Sequence, residues 1–270
     1  MQSFFSLVLK NFLLINIALL LPVLIFGMIF SLLKSKCNQY IRGTIGYFGT
    51  LIFGIIGVPI HELSHLIMCL IFRHKVTEVS LFRPIKGRYD NTLGYVKHTY
   101  NTRSIYQKVG CFFIGIAPML FGSLIIVYII HISFPSLINN MRIFPSLDSI
   151  KIGSLASTVF YNSTTILKTI IAPSRFNNIY YWISMYLLVT VALHMTISRA
   201  DFDNALSGFA LLQAIIILSS LIIVIVSPFA SVMISSIESI SSMLFLILFI
   251  ASIIFLLVFM IASIIYRFTH

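Results

Sequence analysis

The stretch that decides the fold runs from Thr44 to Phe72 and reads TIGYFGTLIFGIIGVPIHELSHLIMCLIF. Its length and its single formal charge, Glu62, are typical of a helix that crosses a bilayer, which needs about 20 apolar residues. Ionisable residues inside such a segment are costly and mark function, and here His61, Glu62 and His65 lie within one short motif. The stretch therefore predicts a transmembrane helix that carries a functional site.

Similar apolar runs fill most of the remaining chain. Hydrophobic residues make up 59% of the 270 residues and charged residues 9%, too few charges to cover the surface of a soluble enzyme. Five further runs are long enough to be spans: Phe12–Leu33, Val109–Ile130, Ile179–Ile197, Gly208–Met233 and Met243–Tyr266. We therefore expect an all-α polytopic membrane protein with about six transmembrane helices, which form a single integral membrane domain over residues 1–270.

The distribution of basic residues predicts the orientation. The net charge of +11 does not indicate nucleic acid as a partner, because Lys and Arg lie in the gaps between apolar runs. Eight of them lie in residues 73–108, so this loop is expected in the cytoplasm, and six spans then place both termini there. By the same count Lys34, Lys36 and Arg42 face outside, against the rule. Low Ala and abundant Ile, Asn and Lys indicate an AT-rich bacterial genome, so we expect the protein in a bacterial cytoplasmic membrane.

Two segments outside the spans also carry a pattern. Val76–Phe82 and Gly94–Tyr100 are rich in β-branched and aromatic residues, and turn-forming residues lie between them. They predict a small cytoplasmic β-hairpin between helices two and three. The loop of residues 133–178 is expected on the extracytoplasmic side, with a helix from Ser154 to Ile171 that lies in the membrane interface.

The sequence from His61 to His65 is an HExxH motif. Residues four apart on a helix share one face, so both imidazoles can bind one metal ion, while Glu62 is placed to take a proton from an attacking water. The histidines lie about 10 to 17 Å inside the helix end at Phe72, so water must reach them through a cavity. Three residues that thin or kink a helix precede the motif: Gly54, Gly57 and Pro59.

A catalytic zinc site of this kind needs a third protein ligand. Asp201 and Asp203 follow the fourth predicted span, on the same side of the membrane as the motif. Ser198 and Asp201 also have the spacing of a helix capping box. A cap and a ligand are compatible roles, because the carboxylate has two oxygens. Asp201 is the preferred third ligand, and Asp203 and His194 are the alternatives.

An HExxH in the second transmembrane helix, followed by a basic β-rich loop and an acid after the fourth helix, resembles the site-2 protease family of intramembrane zinc metalloproteases. The segment from Gly115 to Pro118, Gly-Ile-Ala-Pro, is similar to a small-residue and proline motif in that family's third core helix. The resemblance covers residues 44–208. The family's aspartate stands in a Leu-Asp-Gly motif, which residues 198–208 lack, so the chain looks like a divergent branch.

The resemblance implies that His61, His65 and a distant aspartate hold Zn²⁺ and that Glu62 acts as the catalytic base. It implies hydrolysis of peptide bonds in or near transmembrane segments, with a membrane protein or membrane-bound peptide as substrate and the lipid bilayer as surroundings. An unfolded substrate strand would add to the edge of the hairpin. The sequence does not indicate the oligomeric state.

Three alternatives stay open at this point. The first is a catalytically inactive or transport-type membrane protein with a zinc-binding helix site, since intramembrane His and Asp residues also suit ion pathways. The second is a zinc protease that acts on soluble or surface peptides. The third is a polar contact between helices, in which His61, Glu62 and His65 satisfy one another without a metal.

Overall fold

Long helices dominate the computed structural model, which describes residues 4–144 and 152–269. In chain order the helices are α1 (Phe4–Ile15), α2 (Leu21–Ile45), α3 (Tyr47–Ile71), α4 (Gly87–Asp90), α5 (Ile105–Ser133), α6 (Pro135–Asn140), α7 (Ile152–Ile170), α8 (Ile179–His194), α9 (Arg199–Ile225) and α10 (Ser227–Thr269). A π-helical turn (Asn16–Leu20) joins α1 to α2, and a 3₁₀ turn (Pro173–Arg175) precedes α8. Two strands, β1 (Lys75–Ser80) and β2 (Tyr95–Thr99), lie between α3 and α5.

Five helical segments are long and apolar enough to cross a membrane: Phe4–Ile45, Tyr47–Ile71, Ile105–Ser133, Arg199–Ile225 and Met233–Thr269. The predicted class, a helical membrane protein with several spans and a small sheet, is confirmed at this level. The first span is longer than predicted because α1 and α2 continue into one another through the π-helical turn. The predicted fourth span corresponds to α8, which has 16 residues and is shorter than the other five.

The loop predicted over residues 133–178 contains two helices. The bounds of its second helix, α7, agree within two residues with those predicted for the interfacial helix. The shorter α6 follows directly after α5. Residues 145–151 of this predicted loop lie outside the described part of the chain.

Helix α5 packs against α3, α8 and α9. Its side chains Ile114, Met119 and Ile126 are buried in the apolar core. The ring of His65 reaches the carbonyl of Ile114, and Gly110 lies against Phe72, so α3 and α5 run antiparallel. These contacts bring the HExxH motif to the middle of the bundle.

Helices α3 and α8 run parallel to each other. The hydroxyl of Tyr186 donates to the carbonyl of Ile52 over 2.6 Å, and a little over two turns further along both helices the backbone of His194 lies beside His61. The C-terminal end of α8 and the start of α9 therefore lie beside the motif.

The predicted hairpin forms, within one or two residues of the predicted bounds. β1 and β2 pair antiparallel from Lys75 opposite Thr99 to Ser80 opposite Tyr95, with a bulge between Val76 and Glu78. The hairpin turns back along α3 rather than extending away from it. Gly94 lies against the Glu62 side chain, where an added Cβ would come within 2.7 Å of Cγ.

The contact between the hairpin and α3 extends to the N-terminal end of α3. The hydroxyl of Tyr47, the first residue of α3, donates to the carbonyl of Pro84 over 2.6 Å. Gly54 lets Leu93 approach α3, because an added Cβ would lie 3.1 Å from the end of the Leu93 side chain. Gly54 and Gly94 therefore allow the hairpin to pack close to the motif.

A pair of histidines fixes the base of the hairpin to α5. His74 Nε2 donates to the carbonyl of Gln107 over 2.8 Å, so its Nδ1 accepts from His98 Nδ1 over 3.0 Å. The ring of Tyr100 stacks on His74 with the centroids 5.1 Å apart. His74 is neutral in this arrangement, since a second proton on its ring would remove the acceptor nitrogen.

This histidine pair predicts a loss of stability in acid. Burial, and then the neighbouring His74, lower the pKa of His98 to about 4, and burial also lowers the pKa of His74. Both groups have a pKa of about 6.5 when unfolded. The unfolded chain therefore binds more protons than the folded one between about pH 6.5 and 4, so the stabilisation is complete above this window and is lost as the pH falls through it.

We expect the melting temperature of the metal-free protein in detergent to fall between about pH 7 and 5, with a shallower fall in His98→Gln. His131→Gln serves as the matched control, because His131 is exposed on α5. Equal pH dependence in the wild type and His98→Gln would contradict the assignment.

Candidate metal centre

The two histidines of the motif are held by backbone carbonyls of other helices. His61 Nδ1 donates to the carbonyl of His194, at the end of α8, over 2.8 Å. His65 Nδ1 donates to the carbonyl of Ile114, in α5, over 2.8 Å. Because a carbonyl oxygen only accepts, each Nδ1 carries the proton and each Nε2 keeps its lone pair. Metal-binding histidines are held in this way, with one nitrogen donating to a carbonyl and the other free for the metal.

The two free nitrogens face each other. His61 Nε2 and His65 Nε2 lie 3.2 Å apart, with the rings nearly perpendicular at 75°. Two lone pairs at this distance repel each other unless a cation lies between them. The pair is therefore suited to a shared cation.

Asp201 completes the group. Its Oδ1 lies 3.4 Å from His65 Nε2, and its Oδ2 lies 3.9 Å from His61 Nε2. The predicted capping box is confirmed: the Asp201 amide donates to Ser198 Oγ over 3.1 Å, and Oδ2 accepts from the Ser198 amide over 3.0 Å. The cap thus holds one carboxylate oxygen while the other faces His65. Within residues 4–144 and 152–269, His61, His65 and Asp201 are the group whose ligand atoms could share one metal ion.

The spacing of these atoms fits zinc. Bonds of about 2.0–2.2 Å to nitrogen and oxygen give a tetrahedral edge of roughly 3.3–3.5 Å. The two Nε2 atoms are 3.2 Å apart and Asp201 Oδ1 lies 3.4 Å from His65 Nε2, so both separations match such an edge; the 3.9 Å contact of His61 Nε2 is to the other oxygen, Oδ2. Two neutral imidazoles and one carboxylate are a ligand set that zinc binds in catalytic sites, with a fourth position left for water.

Close helix contacts place Asp201 beside the histidines. Gly115 of α5 lies directly against the carbonyl of Asp201, and an added Cβ would also come within 2.7 Å of Ala205 Cβ. Gly57 of α3 lies in the same way against the ring of His194. The glycine predicted to thin α3 for the entry of water therefore serves close packing on α8, and α3 remains helical through Pro59.

The alternative ligands occupy other positions. Asp203 is exposed. The His194 ring stays with its own helix, since its Nδ1 donates to the carbonyl of Thr190 over 2.8 Å. His194 thus contributes its backbone oxygen, which holds His61, rather than a ring nitrogen.

Glu62 is 92% buried and borders a cavity of about 280 Å³. The cavity lies between α2, α3, the turn of the hairpin and the end of α8, and His61, Gly94 and Ser198 also line it. It provides a space beside the motif, as expected for a site that water must reach. A carboxylate at its wall, next to a histidine pair, is placed to exchange protons with a water or peptide in the cavity.

Two basic residues at this cavity were not predicted as part of the site. Lys34 and Arg42, which were expected to face the outside, both line it from α2. Lys34 Nζ donates to Thr196 Oγ1 over 3.1 Å, and the charges of Asp201 and Glu62 act on its ammonium group. The signal was present in the sequence: Lys34, Asn38 and Arg42 recur every four residues and so share one face of an apolar helix.

No protein-family model, curated protein or solved structure matches the chain.

Proposed function

We propose that the protein is an intramembrane zinc metalloprotease that hydrolyses peptide bonds in or near transmembrane segments of membrane proteins. The observation that carries the proposal is the convergence of His61 Nε2, His65 Nε2 and an oxygen of Asp201, with both imidazole protons committed to backbone carbonyls. Glu62, next to the first ligand and at the cavity wall, supports an enzyme over a pure metal-binding site, which needs no such carboxylate.

The residues divide the chemistry between them. His61, His65 and Asp201 would hold the zinc, which when bound supplies Lewis-acid chemistry that polarises the scissile carbonyl and lowers the pKa of water towards about 7. Glu62 takes the proton from the attacking water and passes it to the leaving amine. The backbone oxygens of His194 and Ile114 keep the two rings oriented throughout.

The proposed topology has six crossings, with α8 as the fourth, and with residues 73–108 and both termini in the cytoplasm. The direction of Lys34 and Arg42 supports it. Because both side chains turn into the cavity, they do not count as basic residues of an outside loop, and the conflict with the positive-inside rule is reduced to Lys36.

The hairpin is the proposed docking edge for the substrate. Its two strands form a sheet of two in the described part of the chain, so an extended substrate segment can pair with an outer edge. Gly94, which leads into β2, lies against Glu62, so a strand added there would pass close to the base. A helical substrate segment must unwind into an extended form before its peptide bonds become accessible to the site.

Metal analysis of the detergent-purified protein tests the proposal. We expect about one zinc per chain in the wild type. His65→Ala should lose it, and Asp201→Ala should weaken zinc affinity by at least about 10-fold, the lower limit for loss of even an outer-shell partner. Asp203→Ala is the matched control and should retain zinc, because Asp203 is exposed.

Wild-type protein that takes up no zinc when zinc is offered would overturn the proposal and leave a polar helix contact. Loss of zinc in Asp203→Ala together with retention in Asp201→Ala would keep the metal site but reassign its third ligand.

A further inference from the structure

The cavity beside Glu62 carries a polar wall that the proposed hydrolysis does not use. Lys34, Asn38 and Arg42 line it from one face of α2. Three polar residues, two of them charged, on one face of an apolar membrane helix are costly to keep unless they serve a function. The opposite wall, formed by α3 and the hairpin turn, contributes Glu62 and the polar residue Asn91.

The hydrogen-bond partners of the two cations are neutral. Lys34 donates to Thr196, and Arg42 donates to Thr50 Oγ1 over 3.2 Å and to Asn91 Oδ1 over 2.6 Å. Over residues 4–144 and 152–269, the ion pairs of Lys and Arg with carboxylates join Arg83 to Asp90 and Lys97 to Glu78. Neither Lys34 nor Arg42 belongs to one.

Charge in the cavity is therefore unbalanced. Two cations, Lys34 and Arg42, line it together with one carboxylate, Glu62, while Asp201, outside the lining, also acts on Lys34. A bound divalent metal with Asp201 as its one anionic ligand would make the surroundings more positive still. Arg42 is half-buried at this cavity and forms no ion pair with a carboxylate of the described residues, so the cavity favours an anionic ligand over a neutral one.

The geometry points to an anion-binding subsite, in which Lys34 and Arg42 hold a carboxylate of the substrate close to the scissile bond. This inference rests on the proposed function, since it names the chemistry of the segment that the protease accepts. At about 280 Å³ the cavity lies just below the range of about 300–1,000 Å³ for drug-sized ligands, so it suits one side chain or a chain terminus. The carboxylate comes from an Asp or Glu side chain or from the C-terminus of the peptide.

Four dye-labelled apolar peptides of about 20 residues distinguish these sources. One carries a central Asp and one a central Asn, and each is made with a free and with an amidated C-terminus. Their dissociation constants are measured by fluorescence anisotropy with full-length protein in detergent, after chelation has removed metal. Removal of the metal prevents turnover, so the readout does not depend on catalysis.

We expect the wild type to bind an acidic form at least about 10-fold more tightly than its neutral partner, the size of a hydrogen bond between charged groups. The Lys34→Gln, Arg42→Gln double variant should lose this preference, and Lys34→Arg, Arg42→Lys should keep it. Lys36→Gln is the matched control: Lys36 lies on the same helix, exposed and outside the cavity lining.

Each outcome decides the inference. A preference for Asp over Asn supports it with a side chain as the source, and a preference for the free acid over the amide supports it with the C-terminus. Equal binding of all four peptides, no binding of any, or an equal loss in Lys36→Gln overturns it. Zinc content is measured separately on the same preparations, so failure of the subsite with zinc retained leaves the proposed protease intact.

Discussion

Glu62→Gln is expected to lower peptide hydrolysis by about 10²- to 10⁴-fold, the contribution of a positioned general base, while zinc stays bound. The amide has nearly the shape of the carboxylate but cannot accept the proton of the attacking water. Glu62 is not among the three groups that converge on the metal position, so its replacement removes chemistry rather than a ligand. The measurement is cleavage of a pool of transmembrane peptides in detergent, with products identified by mass spectrometry, beside zinc analysis of the same samples.

Glu238→Gln is the matched control, because it makes the same change on α10, away from the cavity lining. A zinc-binding transporter or an inactive relative makes the opposite prediction, since Glu62 would be dispensable there. Unchanged cleavage in Glu62→Gln would therefore reject Glu62 as the base. The positions of the cuts, within or outside apolar segments, separate an intramembrane protease from one that acts on soluble peptides.

Gly115→Ala should disrupt the metal site indirectly, because Gly115 contacts the backbone of α9 and no ligand side chain. An added methyl group at Gly115 would meet the carbonyl of Asp201 and lie 3.0 Å from the amide nitrogen of Ala205. Backbone atoms cannot rotate away, so α9 must move from α5 and carry Asp201 with it. We expect a loss of about 1–3 kcal/mol in the free energy of unfolding, as for overpacked cores. We also expect zinc affinity at least about 10-fold weaker.

Gly54→Ala provides the comparison for this change. The added methyl group would meet the end of the Leu93 side chain at 3.1 Å, and that side chain can shift. Thermal unfolding and zinc titration of both variants separate the two cases. If Gly115→Ala retains wild-type zinc affinity, the close contact between α5 and α9 is not what positions Asp201.

The local features of this protein were predictable because they depend on near neighbours in the chain. Apolar run length predicted the long helices, and the four-residue spacing of His61 and His65 predicted that both rings share one face of α3. The alternation around Val76 predicted the hairpin, and the spacing of Ser198 and Asp201 predicted the cap. In each case the relevant partners lie within a few residues or within one adjacent hairpin.

The candidate site could be predicted only in part. Asp201 and Asp203 are two residues apart, and so lie on nearly opposite faces of α9, but their spacing does not say which face meets α3. The packing of Gly115 on α9 decides it in favour of Asp201. The position of Lys34 was also not predictable from the sequence. It follows an apolar run, which indicated a charge at the end of a span, whereas in the fold its side chain points towards Thr196 and the cavity.

The sequence by itself determined that the chain builds apolar helices and that one of them carries two histidines and a glutamate in register for a metal. Hydrophobicity and helical period are properties of a single segment, so they can be seen without the fold. Only the tertiary structure decided which carbonyls fix the imidazole protons, which aspartate faces them and which basic residues enter the cavity. These contacts join segments from residue 34 to residue 201, and they depend on how closely the helices approach one another at a few glycines.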